Sequence, residues 1–88
     1  MSVRVPSHIH FRPVHDEVVL LDTRTGSYRG LNPSATVIWL SLADGADERT
    51  AVSAVLDRFD VSSEQAQADL DILVQQLVAD GLLERGDG

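Results

Sequence analysis

The sequence predicts a single α+β domain in which a three-stranded antiparallel sheet precedes three helices. Its 88 residues leave room for one hydrophobic core only. Short runs of alternating or β-branched apolar residues fill the first third of the chain, whereas apolar residues at helical spacing fill the remainder. We therefore expect one domain over residues 1–88, with its core in about residues 8–84.

The first two predicted strands form a hairpin. Ile9 and Phe11 alternate with polar residues, which predicts a strand with one buried face that ends at Pro13. The apolar run 18–21 is too short for a helix and contains two valines. We expect it to be a central strand that is covered on both faces.

The third predicted strand, residues 27–31, returns after a turn that ends at Gly26. This strand is short, and Gly30 stands near its end. Both features are typical of an edge strand or of a place that another backbone approaches closely.

The first two helices have clear boundaries. Asn32 is a good N-cap, Pro33 suits the first helical position, and Asp44-Gly45 ends a segment that is apolar nearly all round. This first helix is expected to be the most buried one. The second helix is predicted over residues 47–59, with one apolar face made of Val52, Val55, Leu56 and Phe59.

The third helix begins with a capping-box pattern, Ser62 followed by Gln65. Gly81 stands where a left-handed C-cap belongs, and Leu82 and Leu83 are expected to close the structure before the last residues fray. The predicted core residues of this helix are Ala66, Leu70, Leu73 and Leu77, flanked by Val74 and Val78.

Composition excludes several classes of function. The net charge is -7, so phosphate-rich partners and anionic lipid are repelled, and we expect neither nucleic acid nor membrane as a partner. The chain has no cysteine, which removes disulfides, thiolate nucleophiles and cysteine-based zinc sites. No signal peptide or membrane-spanning run is present, and a cytoplasmic location is expected.

No arrangement of residues predicts catalysis. His8 and His10 would share one strand face, but no motif places a third metal ligand, and solvated histidines are the favoured interpretation. No serine stands in a nucleophile-elbow motif, and the chain has no glycine-rich phosphate loop. We expect a protein that is not an enzyme and needs neither a cofactor nor a metal.

Three helices with an attached hairpin also describe a winged helix-turn-helix, and this shape suggests a transcription regulator as one alternative. A recognition helix needs basic or amide side chains along its outer face. The third helix offers acids and glutamines but no basic residue. DNA binding is therefore disfavoured, although it stays an alternative.

Peptide binding is the remaining hypothesis. An edge strand offers unpaired backbone groups to an extended peptide. At 100° per residue, Ile72 projects away from the core residues of its helix, so strand and helix would line one groove if they lie side by side. Tyr28 is interpreted either as a core ring or as part of that groove. A further alternative is a structural subunit that contacts an enzyme through Tyr28 and Ile72 without touching the peptide.

The segment from Tyr28 to Leu40, followed by Asp44-Gly45, resembles the PqqD-like family. In that family a Tyr-x-x-Leu-Asn strand end leads into an Ala-x-x-Ile-Trp helix and an Asp-Gly stop. The pattern over 66–83 is similar to the closing helix of the family, and the resemblance covers about 14–84. It implies a RiPP recognition element, a small winged-helix domain without catalytic residues that binds the leader of a ribosomally made precursor peptide.

The resemblance also implies a binding site. In the family the leader docks as a strand against the third strand, in a cleft beside the third helix. By position, the peptide-binding residues would be Ser27, Tyr28, Arg29, Gly30, Leu31, Asp69, Ile72, Leu73 and Gln76. The chain looks most like the separate leader-binding subunit of lasso-peptide pathways. Its implied partners are a precursor leader with a Tyr-x-x-Pro element, a leader peptidase and a lasso cyclase.

Overall fold

The computed structural model describes residues 3–86. Residues 1–2 and 87–88, which the predicted domain includes, lie outside the described residues. In chain order the elements are β1 (Val3–Arg4), β2 (Ile9–Val14), β3 (Glu17–Asp22), β4 (Ser27–Leu31), α1 (Pro33–Ala43), α2 (Glu48–Arg58), α3 (Ser63–Ala79) and β5 (Glu84–Arg85). The predicted α+β fold, a three-stranded antiparallel sheet followed by three helices, is confirmed.

The main sheet has the strand order β2-β3-β4, so β3 is central and β4 lies at an edge, as predicted. Strand β2 does not end at Pro13 but continues through it to Val14. Proline is tolerated in an edge strand where its missing N–H faces away from the neighbouring strand. The two-residue turn after Val14 contains His15, whose φ of 59° lies in the left-handed region.

The central strand is covered on one face only, so the prediction of two covered faces is wrong. Val18 and Leu20 are fully buried, whereas Val19 and Leu21 are half-buried on the opposite face. The helices supply a single layer against the sheet. Trp39 of α1 is fully buried there and makes an edge-to-face contact with Phe11, with ring centroids 5.6 Å apart.

Helix α1 begins as the sequence predicts, because the Asn32 side chain accepts a hydrogen bond from the Ala35 backbone N–H at 2.8 Å. Thr36 in its first turn is buried and connects the helix to the sheet. Its hydroxyl accepts from the Val18 N–H at 2.9 Å and donates to the Leu31 carbonyl at 3.2 Å. The hydroxyl therefore links facing residues of β3 and β4.

Helix α2 lies between residues 48 and 58, and Asp47 caps its N-terminus by accepting from the Thr50 N–H at 2.8 Å. The predicted apolar face is partly wrong. Leu56 is exposed, and the small residue Ala51 is buried beside Val55 instead. Residues at positions i and i+4 lie on one face of a helix, so the buried stripe follows Ala51 and Val55.

Helix α3 is capped by Ser62, whose side chain accepts from the Gln65 N–H at 3.1 Å. Its core residues differ from the prediction in one position, because Val74 is buried and Leu73 is only half-buried. Gly81 has a φ of 78°, and the Leu82 N–H reaches the Leu77 carbonyl at 2.8 Å, which completes the predicted C-cap.

Strand β5, directly after the closing leucines, pairs with β1 near the start of the chain. This two-stranded pair was not predicted from the sequence. Val3 lies opposite Arg85 and Arg4 opposite Glu84. The Arg4 and Glu84 side chains form an exposed ion pair at 3.0 Å. Residues 84–85 are thus paired with another strand. The last residues, 87–88, for which fraying was expected, lie outside the described residues.

Candidate peptide-binding site

The outer edge of β4 presents backbone groups that no other strand occupies among residues 3–86. In an antiparallel pair, successive residues point their N–H and C=O groups alternately toward and away from the partner. The Thr36 hydroxyl lies between the Val18 N–H and the Leu31 carbonyl, so the backbone carbonyl of Leu31 points toward β3. By alternation Arg29 also points toward β3, whereas the backbone groups of Tyr28 and Gly30 face outward.

The opposite edge of the sheet, formed by β2, is less open to another strand. The Thr23 N–H donates to the His8 carbonyl at 2.9 Å, so even-numbered residues of this segment face β3 and odd-numbered ones face outward. Among the outward positions, the Ile9 N–H already donates to Pro6 at 3.0 Å, and Pro13 has no N–H. Of the two edges, β4 is the one suited to accept an extended chain.

A cleft lies between α3 and the junction of β4 with α1. Its volume is about 260 Å³. It brings together the four α3 residues that the family resemblance implied: Asp69, Ile72, Leu73 and Gln76. The Ile72 side chain is 55% exposed, as its predicted projection away from the core requires.

The other side of this cleft comes from residues that the sequence did not single out as site residues, namely Asn32, Ser34, Ala35 and Ile38. A signal was present, because Asn32 and Pro33 start a helix directly after the edge strand. The first turn of α1 therefore had to lie beside the end of β4. The cleft is polar at this helix start and apolar along Ile38, Ile72 and Leu73.

A second hollow adjoins the other end of β4. It is lined by Asp22, Thr25, Ser27, Tyr28, Arg29, Asp80 and Leu82. An ion pair between Arg29 and Asp80 joins the strand to the end of α3. Among the expected strand residues, Ser27, Tyr28 and Arg29 thus lie here rather than in the cleft, and the Leu31 side chain is buried in the core.

Tyr28 is neither a core residue nor part of the groove beside Ile72, so both interpretations of its ring are wrong. The side chain is 73% exposed. Tyr28 pairs with Leu21, and paired residues lie on the same face of a sheet, so its ring stands on the face away from the helices. Gly30 lies on this face too, and a Cβ placed on it would meet no atom within 4 Å. The fold itself does not require glycine there.

The polar side chains that α3 contributes to the site are acidic and amide groups. Asp69 accepts a hydrogen bond from the Gln65 side chain at 2.8 Å. The described residues contain no group of three or more histidine, aspartate or glutamate side chains able to hold a metal. His8 and His10, which were considered as metal ligands, therefore belong to no such group within the described residues.

None of the helices in the described part of the chain combines the length and apolarity needed to cross a bilayer. The site shares the negative charge of the chain, since α3 contains acidic residues but no basic residue. The surface beside the cleft is therefore unsuited to a phosphate backbone.

Comparison with solved structures gives two close matches. TbiB1 in complex with the TbiA(beta) leader peptide superimposes with a TM-score of 0.87 and 28% identity, covering 97% of this chain and 99% of that chain. Lasso peptide synthetase B1 complexed with the leader peptide also has a TM-score of 0.87, with 27% identity over 97% of this chain and 100% of that chain. No curated protein sequence matches significantly.

The family model for coenzyme PQQ synthesis protein D (PqqD) matches residues 17–83. This range contains β3, β4 and all three helices, and so both the open strand edge and the cleft. It also includes the segment from Tyr28 to Leu40 on which the resemblance was based. The chain belongs to the PqqD family.

Proposed function

We propose that the chain is a non-catalytic adaptor that binds the leader segment of a ribosomally synthesised precursor peptide. The leader adds as an antiparallel strand to β4, lies in the cleft against α3, and is presented to a separate processing enzyme. The observation that carries this proposal is the edge of β4, which no strand of the described residues occupies, beside an open, partly apolar cleft. It is supported by the two similar proteins, whose structures contain leader peptides.

In this proposal the backbone of β4 binds the peptide main chain, and the side chains of the cleft determine which peptide sequences are preferred. A guest strand forms hydrogen bonds with the outward N–H and C=O groups of Tyr28 and Gly30, which hold any extended sequence. Guest residues between these bonded positions point toward α3. There Ile38, Ile72 and Leu73 offer apolar contacts, while Asp69 and Gln76 offer polar ones. Sequence preference therefore arises in the cleft.

The free energy of binding is a balance. Ordering a disordered peptide costs about 2–5 kcal/mol, which burial of a few aromatic or proline side chains must offset. The cleft, at about 260 Å³, has room for such side chains. We expect dissociation constants between about nanomolar and micromolar.

The pathway proposed is that of a lasso peptide, because both similar structures are leader complexes and one is named as a lasso peptide synthetase component. The enzymes served would be a leader peptidase and a lasso cyclase, and the leader would carry a Tyr-x-x-Pro element. The chain itself supplies no catalytic group and works in the cytoplasm.

Strand addition is tested by replacing Gly30 with proline. Gly30→Pro removes an N–H that points to the guest while the bonds between β3 and β4 are kept, because Gly30 does not face β3. A synthetic leader from the precursor gene beside this one, titrated by fluorescence anisotropy, should bind at least about tenfold more weakly. Gly30→Ala, which keeps the N–H and adds a methyl in open space, should bind within about threefold of wild type.

The cleft is tested on the same leader with Ile72→Glu. The charge replaces an apolar contact at an exposed position, so binding should weaken about tenfold or more while the fold is kept. Ser63→Glu adds the same charge to an exposed position on the opposite side of the helix, about 180° from Ile72, and is the matched control. Equal affinity of Gly30→Pro, Ile72→Glu and wild type, or no binding by wild type, would contradict the proposal.

A further inference from the structure

The face of the sheet that points away from the helices carries a hollow of about 140 Å³ beside the open edge. It is lined by His10, Arg12, Val19, Leu21 and Tyr28, which share this face, and by Phe11, whose ring lies on the helix side against Trp39. Two features of it have no role in the fold: the ring of Tyr28 is exposed, and Val19 and Leu21 are only half-buried. No element among residues 3–86 covers this face of β4.

A strand added to β4 would use this face as well as the cleft. The guest residues that hydrogen-bond with Tyr28 and Gly30 lie directly opposite them, and paired residues share a face. Their side chains therefore point outward, to the side of the Tyr28 ring. Guest residues in between point into the cleft, so successive guest side chains alternate between two separate surfaces.

Gly30 leaves a gap on the outer face at this edge. Its absent side chain is not required by the fold, because an added Cβ would meet nothing within 4 Å. Val19 lies directly across from Gly30 on β3. An aromatic ring on the guest residue opposite Gly30 can lie across the glycine and approach Val19, since neighbouring strands are about 4.8 Å apart. The same ring has Tyr28 as its diagonal neighbour, within reach of an aromatic side chain.

We propose that the outer face is a second recognition surface, which selects an aromatic or large apolar side chain at the guest position opposite Gly30. The inference rests on the proposed function, because it requires a peptide strand on β4. It extends that function by adding a preference outside the cleft. Aromatic side chains that cover an edge glycine are a known means of stabilising paired strands.

The occupant is the peptide strand itself rather than another protein, because the hollow is continuous with the open edge. Tyr28 contributes its backbone to that edge and its ring to the hollow. A strand seated on the edge cannot avoid placing alternate side chains beside this ring. A processing enzyme bound to the same face would give no preference in the isolated domain.

The test is a selection from an mRNA-displayed library of random 14-residue peptides on the full chain. Selections are run in parallel on wild type, Gly30→Val, Tyr28→Ser and Ile72→Glu. Gly30→Val fills the gap but keeps the N–H, and valine is favoured in strands. Tyr28→Ser removes the ring and keeps the backbone. Ile72→Glu changes the cleft alone and so identifies which peptide positions face it.

On wild type we expect aromatic residues to be enriched about threefold to fivefold at one position that Ile72→Glu leaves unchanged. This enrichment should fall to background on Gly30→Val and decrease on Tyr28→Ser, while the cleft-facing preferences persist on both. Binders without an outward preference, or with one that Gly30→Val leaves intact, overturn this inference alone. Failure to select any binder on wild type contradicts the proposed function as well.

Discussion

The hydroxyl of Thr36 occupies a place that a direct backbone hydrogen bond between strands would otherwise fill. It accepts from Val18 and donates to Leu31, and all three residues are buried. One side chain therefore fixes the end of the edge strand and the first turn of α1 together. The position of the cleft beside this junction depends on that link.

Replacing Thr36 with valine should destabilise the domain by about 1–3 kcal/mol. The shape is kept, but a buried N–H and a buried carbonyl lose their partner. Thr36→Ser keeps the hydroxyl and should cost less. Urea unfolding followed by the fluorescence of Trp39 measures both variants. Equal stability of Thr36→Val and wild type would show that water or a strand shift replaces the bridge.

The exposure of single residues was predictable where helix geometry alone decides it. Ile72 projects from α3 as the 100° spacing predicts. The exchange between Leu73 and Val74 was not predictable, because both positions lie near the apolar face and the neighbouring helices determine which one is covered. This exchange matters for the site, since it leaves Leu73 at the cleft instead of in the core.

Among the elements, the two edges of the main sheet differ in a way that the sequence partly revealed. The shortness of β4 and its Gly30 predicted an edge strand. Why Pro13 is tolerated inside β2 follows only from the register of the two strands. In this register, residue 13 turns the side of its backbone that lacks an N–H away from β3. Register depends on pairing across the chain, so a strand boundary alone could not supply it.

Helix α2 should contribute a pH dependence through Asp47. The hydrogen bond from the Thr50 backbone N–H lowers the pKa of Asp47 below 3.8, the ordinary aspartate value. A group whose pKa is lowered by folding stabilises the fold above its unfolded pKa. That stabilisation is lost as the pH falls below about 4 and through the folded pKa.

Asp47→Asn isolates this effect, because asparagine keeps an oxygen for the cap but does not titrate. The stability advantage of wild type over Asp47→Asn, from urea unfolding at a series of pH values, should be constant near neutrality and shrink below about pH 4. An advantage that stays the same down to pH 2 would show that the charge on Asp47 plays no part.

The pair of β1 and β5 marks the limit of prediction at this scale. Each strand has two residues, which is too short for an alternation pattern, and the partners are about eighty positions apart in the chain. The helix boundaries were predictable for the opposite reason. Asn32, Ser62 and Gly81 each act on the backbone within a few residues, so their effect is visible in the local sequence.

At the scale of the whole molecule, the winged-helix shape and the net charge favour different partners. The helix that would enter a DNA groove has no basic residue. Both similar structures are complexes with leader peptides. The order of the three-stranded sheet and the three helices could be predicted from the sequence, and the family resemblance implied the α3 side of the cleft. The α1 side of the cleft could be known only from the packing.

The net charge of -7 should make peptide association depend on salt. Two lysines added at the N-terminal end of a bound leader, which antiparallel pairing places near Asp69, should raise the association rate at about 0.01 M ionic strength. The gain should largely vanish at about 0.15 M, where charges are screened over about 8 Å. Stopped-flow fluorescence, with two added serines as control, measures this. A gain that survives high salt would indicate a direct contact instead.

The pairing of Val3 with Arg85 has a consequence for covalent architecture. Facing α-carbons in an antiparallel pair are only about 5 Å apart, so the polypeptide enters and leaves the domain at one point. Such a module can be spliced into a surface loop of a larger enzyme through two adjacent junctions, or circularly permuted with a short linker. Gene fusion can thus place such a domain inside another chain without altering its topology.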